Sequence, residues 1–401
     1  MSHSSTSHAI SPCTFTDEAG TDNGKRSERV TLAKLVVIGP SPPPVHGVVV
    51  MTGQMLRALH ELDACAGYLD TRDPRPVTTI GRLDMRNVML GLRHVWQLNR
   101  LLARRRNTVG VHLCISQVRW GFLRDAVLVG LTRARRRRLY VHLHGGLLAE
   151  FYRRSSPQMR WLIRVVMRQA YQAWVLTPTL RSQFDGLVAE DRVHCVPNVV
   201  DDPLAGAPLP EAEQRDDARL RILYLANLLP EKGCFDVLAA LRLLGDKSNG
   251  WEVRLVGAAA PDIEQRLRHE IEVLPPDTAH VALVGEITGD AKGEQYRWAD
   301  VFVYPTQYPP EGQPLVLLEA LGAGLPVLST RWAGIPDTVE DRKEGLLIEP
   351  GDEYALAAAL SCLAEEPTLR KAFSVNARAR YEDCYRPDRL VRDLSTLLAE
   401  D

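Results

Sequence analysis

No two cysteines in the chain have the C-x-x-C spacing, and the seven present, at positions 13, 65, 114, 195, 234, 362 and 384, suggest neither a zinc site nor a disulfide framework. A reducing compartment is expected. No uncharged apolar run approaches the roughly 20 residues needed to cross a bilayer, and the first thirty residues, rich in Ser, Thr, Asp and Gly, lack the apolar stretch of a secretory signal. Residues 1–30 are expected to form a disordered tail on a cytoplasmic protein, with surface attachment at the inner face of the membrane left open. D-x-D occurs nowhere, which argues against a divalent ion held between paired carboxylates and phosphates, so no metal cofactor is expected. An excess of charge is lacking too: 49 Lys and Arg face 50 Asp and Glu, so the whole molecule has no bias toward nucleic acid or membrane.

What is there is length and apolar content. At 401 residues and 45 % hydrophobic, the chain can bury the cores of two domains. Short β-branched runs at LVVIG (35–39), VGVHLCIS (109–116), RLYVHLHGG (138–146), AWVLTP (173–178) and RVHCVPN (192–198) alternate with helical patterns such as Val48 to Leu59. A second series follows at 221–227, 251–257, 280–285, 301–306, 326–330 and 345–350. Between them DDPLAGAPLPEAEQRDDAR (201–219) is poor in large apolar residues and carries three prolines, as a linker should. The expected fold is α/β, with two Rossmann-like doubly wound domains at 31–200 and 220–375 facing a central cleft. A helical segment at 376–401 is expected to pack back toward the N-terminal domain.

The most informative stretch is EGQPLVLLEALGAGLPVLSTRWAGIP (311–336), with Glu311 and Glu319 eight positions apart after a strand. Pro314 suits the first helical turn, which places a helix start near Glu311 to Pro314 and Glu319 one to two turns further in. Free N–H groups at that start can receive phosphate or sugar hydroxyls, and a carboxylate on the helix can accept from both hydroxyls of a ribose. Read alone, two such glutamates are ordinary solvated helix charges; the residues around them argue otherwise.

That stretch is similar to the E-x7-E signature of retaining glycosyltransferase family 4, which has the GT-B fold, and the likeness continues weakly back to Leu35. The resemblance implies that a nucleoside-diphosphate sugar is the donor, that Glu319 binds its ribose and that Glu311 lies near the sugar and contributes to catalysis. Backbone amides of Gly312, Gln313, Pro314 and Leu315 mark the positions that contact sugar and phosphate, although Pro314 itself has no N–H. After the first strand of the second half, ANLLPEKG matches the family loop in which Lys232 neutralises the diphosphate; Asn227 stands where most members have arginine. On the acceptor side the resemblance makes Gly47, in SPPPVHG, the glycine that lets backbone approach the donor, with His46 where a second glycine is usual. It also makes His144, in VHLHGG, a catalytic residue beside the donor sugar. His142 is read as packed, since no third ligand accompanies the H-x-H pair. VPNVVD (196–201) matches the segment near the domain crossover, with Val199 for the usual glycine and Asn198 structural.

From Arg82 to Arg138 fourteen arginines face two acidic residues, Asp84 and Asp125. An apolar stripe of Val88, Leu92, Val95, Leu98, Leu101 and Leu102 is expected to pack inward and leave the charge outside. A solvated face and a docking site for an anionic membrane or a phosphate-bearing acceptor are both compatible with this pattern. Nucleic acid is not expected as a partner, because no aromatic interleaving accompanies the arginines. The reading is a metal-independent hexosyltransferase-type enzyme acting with retention, with polysaccharide, lipid carrier and small natural product open as acceptors. A catalytically silent sugar-nucleotide binder and a sugar-nucleotide epimerase are the alternatives.

Overall fold

The computed structural model describes residues 31–43, 46–72, 85–104, 108–205 and 219–399, apart from the side chains of 86–88. The expected tail, Pro44 and Val45, Arg82, Arg105, Arg106 and residues 206–218 of the expected linker lie outside the described residues.

Strands β1 (Leu35–Gly39), β2 (Cys65–Asp70), β3 (Gly110–Cys114), β4 (Arg138–Leu143), β5 (Ala170–Val175) and β6 (Val193–Cys195) form one parallel sheet in the order 2-1-3-4-5-6. Helices α1 (Gly47–Glu61), α2 (Met85–Arg104), α3 (Arg119–Ala134), α4 (Leu148–Arg154) and α5 (Pro157–Met167) cross between them. The second sheet holds β7 (Arg221–Leu225), β8 (Glu252–Val256), β9 (His280–Gly285), β10 (Val301–Tyr304), β11 (Val327–Thr330) and β12 (Gly345–Ile348) in the order 12-11-10-7-8-9. Its helices are α6 (Cys234–Leu244), α7 (Pro261–Glu272), α8 (Asp290–Trp298), α9 (Leu315–Gly322), α10 (Ile335–Thr338), α11 (Glu353–Glu365), α12 (Pro367–Cys384) and α13 (Pro387–Leu397). β1 and β10, covered by helices on both faces, are apolar and buried throughout. Strand order reverses at β1 in the first sheet and between β7 and β10 in the second, which is where loops diverge and a ligand fits at the carboxyl ends.

One strand escaped the sequence reading: β2, CAGYLD, has no β-branched residue and only one fully buried position. It nonetheless anchors the loop after β1, since Asp70 accepts from Ser41 N at 3.0 Å and from Ser41 Oγ at 2.7 Å.

Helix α13 crosses to the N-terminal domain. Leu390, Leu394 and Leu398 share a core with Met51, Met55, Ala58 and Leu59, all on α1, and Ala33 N donates to Leu398 O at 2.8 Å. Helix α12 runs unbroken through the expected boundary at 375/376. It reaches back at Arg378, whose Nη2 lies 2.9 Å from Asp202, and at Tyr381, which donates to Val200 O at 3.1 Å.

Helix α2 corrects one expectation. Val95, Leu98, Leu101 and Leu102 pack inward as expected, but Leu92 is 66 % exposed. The inner face is set by His94, Leu98 and Leu102 at four-residue steps. Leu92, six positions before Leu98, comes out on the far side. Val88 belongs to the residues whose side chains are not described.

Candidate functional site

The loop after β7 lies directly on the loop after β10. Gly233, at φ +85°, makes this possible: a Cβ there would stand 2.3 Å from Pro305 O, and Gln307 N donates to Glu231 O at 2.8 Å. Lys232 is thereby carried over two aromatic faces, its Nζ 5.0 Å from the Tyr308 ring centre and 5.8 Å from that of Tyr304. The Tyr304 hydroxyl in turn donates to Glu311 Oε2 at 2.7 Å, with Thr306 Oγ1 at 3.4 Å from the same oxygen. Burial first, and then the Glu311 charge, push the Tyr304 phenol well above its ordinary pKa, so it stays a donor. Lys232 and Glu311 are thus joined through one tyrosine.

Glu311 lies in the loop before α9, not on the helix. Pro314, expected in the first turn, caps the helix instead: its ψ of 124° is extended and its carbonyl accepts from Leu317 N at 3.1 Å. The helix begins at Leu315, which places Glu319 in its second turn. There Lys292 Nζ lies 2.6 Å from the carboxylate and the Tyr296 hydroxyl donates to Oε2 at 2.7 Å. Each oxygen keeps lone pairs for an incoming hydroxyl. Burial, followed by the charge of Glu319, raises the Tyr296 phenol in the same way.

The two domains meet backbone to backbone beside this cluster. A Cβ on Gly312 would stand 2.5 Å from His144 O, one on Gly145 2.9 Å from Pro310 O, and one on Gly146 2.9 Å from Glu311 O. These loops approach so closely only because all three are glycine. Asn198 fastens the contact: its backbone N donates to Gln313 Oε1 and its Nδ2 to Gln313 O, both at 2.8 Å. The Gln313 side chain is therefore turned into the domain junction, where its Nε2 also donates to Thr338 Oγ1 at 3.2 Å. Gly47, the first residue of α1, stands opposite α9, with Leu315 Cδ1 4.0 Å from where its Cβ would be. Asn227 follows β7 and is exposed.

His144 sits at the end of β4, its ring 4.1 Å from that of His142. His142 in turn meets His112 Nε2 through Nδ1 at 3.2 Å. Burial lowers the pKa of His144 to about 4, against a raising hydrogen bond from Asn198, and lowers that of His112 to about 3. His142 is lowered as well, again mainly by burial. All three are neutral at pH 7. Among the described residues no group of three His, Cys, Asp or Glu is arranged to hold a metal ion.

The structure brings Lys232, Glu311, Gly312 and His144 to one junction, with Gly47 and Glu319 on elements that border it. Sequence reasoning missed Tyr304, Tyr308, Tyr296 and Lys292. Tyr304 read as one more apolar strand residue of VFVY, and the other three lie outside any recognised spacing.

The family model for glycosyl transferases group 1 matches residues 208–380. The amylovoran biosynthesis glycosyltransferase AmsK of Erwinia amylovora is 31 % identical over 183 residues, 45 % of this chain and 44 % of that protein. A GDP-mannose-dependent alpha-(1-6)-phosphatidylinositol monomannoside mannosyltransferase of Mycolicibacterium smegmatis is 27 % identical over 291 residues, 69 % of this chain and 74 % of that protein. The chain thus spans less than half the length of the first relative and about three quarters of the second. Among solved structures, HepE of Anabaena in complex with UDP and glucose superposes with a TM-score of 0.66 at 17 % identity, covering 91 % of this chain and 99 % of that one. This likeness shows the fold, the two-domain arrangement called GT-B.

Proposed function

We propose that the protein is a retaining, metal-independent, hexosyltransferase-type glycosyltransferase of family 4, using a nucleoside-diphosphate sugar to glycosylate a hydroxyl in polysaccharide, glycolipid or glycosylated-metabolite biosynthesis. The observation that carries this reading is the junction itself: Gly312 against His144 O, beside a Lys232 and a Glu311 joined through Tyr304. The names of the relatives and the UDP in the Anabaena structure support the class of reaction and the class of donor.

In this reading Glu319 accepts the ribose hydroxyls, and the amides at the start of α9 face the phosphates. Gly47 keeps the opposite wall free of a side chain. The acceptor oxygen bonds to the anomeric carbon on the face from which the diphosphate departs, and the acceptor proton passes to the departing phosphate oxygen. Lys232 leaves its tyrosine faces to offset the charge that grows on that oxygen, which is the main protein contribution to the rate. Glu311 and the neutral imidazole of His144 flank the oxocarbenium-like sugar, and the closed junction keeps out water. In this reading the reaction takes place in the cytoplasm.

The test is thermal stabilisation by UDP-, GDP-, ADP- and dTDP-sugars, with and without EDTA, for the native protein and Glu319→Ala, followed by NMR of the product anomer. A selective shift that survives EDTA and is lost in the variant, with retained configuration in the product, is expected. No shift with any donor would sink the reading, and a shift without turnover would leave a silent binder.

A further inference from the structure

The outer face of α2 is apolar where a solvated helix would be polar. Met85, Met89, Leu92 and Trp96 are 76, 66, 66 and 59 % exposed. Their spacing stacks them in one stripe, about 17 Å long at the helical rise, while Leu98 and Leu102 pack into the core on the opposite side. Guanidinium groups border the stripe. Arg93, Arg100 and Arg104 are exposed along one flank, Arg100 standing 5.3 Å over the Trp96 ring. On the other flank Arg135 donates from Nε to Asn99 Oδ1 at 3.1 Å.

The same composition continues across the helical layer, since α2 packs on α3 and α3 on α5. Trp120 and Val127 are exposed on α3, and Trp161 and Val165 on α5. Arg119, Arg133, Arg164 and Arg168 are exposed among them. The one acidic residue in these three helices, Asp125, is buried and lies 2.7 Å from Arg124.

We propose that this face docks on an anionic lipid bilayer, with α2 lying in the interface, its stripe among the upper acyl chains and its arginines on headgroup phosphates. The combination selects this occupant. A second copy of the chain would bring two arginine fields face to face, and a nucleic acid would leave the Met, Leu and Trp stripe unmatched. The layer lies on a face of the sheet and the cleft at the strand ends, so docking leaves the cleft open beside the membrane. The inference does not depend on the proposed reaction.

The test is flotation of the full chain with phosphatidylcholine vesicles with and without phosphatidylglycerol, read together with tryptophan emission. The native protein is expected to float with acidic vesicles only, to shift its emission to the blue, and to come off as salt rises. Leu92→Ser with Trp96→Ser, both exposed positions, is expected to weaken binding at least about tenfold with an unchanged unfolding midpoint. Arg93→Gln with Arg100→Gln is expected to weaken it about tenfold by charge alone. Equal binding to neutral vesicles, no binding to acidic ones, or native-like binding by both variants would overturn the proposal. So would a stable dimer, or oligonucleotide binding, lost in these variants in the absence of any lipid binding.

Discussion

The Tyr304 hydroxyl lies 2.7 Å from Glu311 Oε2, and the ring that carries it forms part of the platform under Lys232. A single phenol therefore sets the position of a carboxylate and of a cation that the proposed chemistry uses at opposite ends of the breaking bond. Tyr304→Phe keeps the platform and removes the donor. The rate constant kcat is expected to fall roughly tenfold with KM for the donor within about twofold, because a charge-assisted bond is lost and the nucleotide contacts are not. Steady-state kinetics on both substrates check this; an unchanged kcat would mean that Thr306 alone holds the carboxylate.

Lys232→Ala is expected to lower kcat about a hundredfold or more, since the charge it meets is largest at the transition state. Thermal stabilisation by the intact donor should fall much less. Equal losses in both would assign Lys232 to donor binding only.

Asn198 ties the domains by donating two hydrogen bonds to Gln313, from its backbone N to Oε1 and from Nδ2 to the backbone O. Asn198→Ala removes the bond from Nδ2 and Gln313→Ala the bond to Oε1, so each variant is expected to lose about 1–3 kcal/mol of stability in urea unfolding. Losses below about 0.5 kcal/mol in both variants would show that neither bond holds the junction in solution.

Much of this junction was legible in the sequence, and the part that was not has a physical reason. The spacing of Glu311 and Glu319 alone reads as solvated helix charge, and it is the family resemblance carried by the residues around them that implies a donor site there. Asn198 and Gln313, 115 positions apart, meet only after both sheets have formed, so no local pattern announces them. The same holds for Tyr296 and Lys292 on α8, which take their meaning from Glu319 on α9. Strand β2 was lost for a different cause: CAGYLD runs beside β1 mostly half-buried, and its composition carries little β signal.

The cluster of His112, His142 and His144 makes a pH prediction. His144 titrates near about 4 and His112 near about 3 in the fold, against an ordinary 6.5, and His142 is lowered too. As pH falls below 6.5 the unfolded chain takes up protons at these sites and the folded chain does not. Stability is therefore full above about pH 7 and falls as pH drops toward 4, by up to about 1.4 kcal/mol per pH unit for each histidine. Urea unfolding between pH 7.5 and 4.5 measures the slope, and His112→Gln is expected to make it shallower. An unchanged slope would show that His112 protonates inside the fold.

The placement of α13 also bears on how the chain is made. Leu390, Leu394 and Leu398 complete the core beneath α1, yet the ribosome delivers them only after every strand of the second sheet. Until then the first domain to emerge carries an open apolar face at Met51, Met55, Ala58 and Leu59, so a first half made without α13 is expected to be aggregation-prone unless that helix is supplied with it.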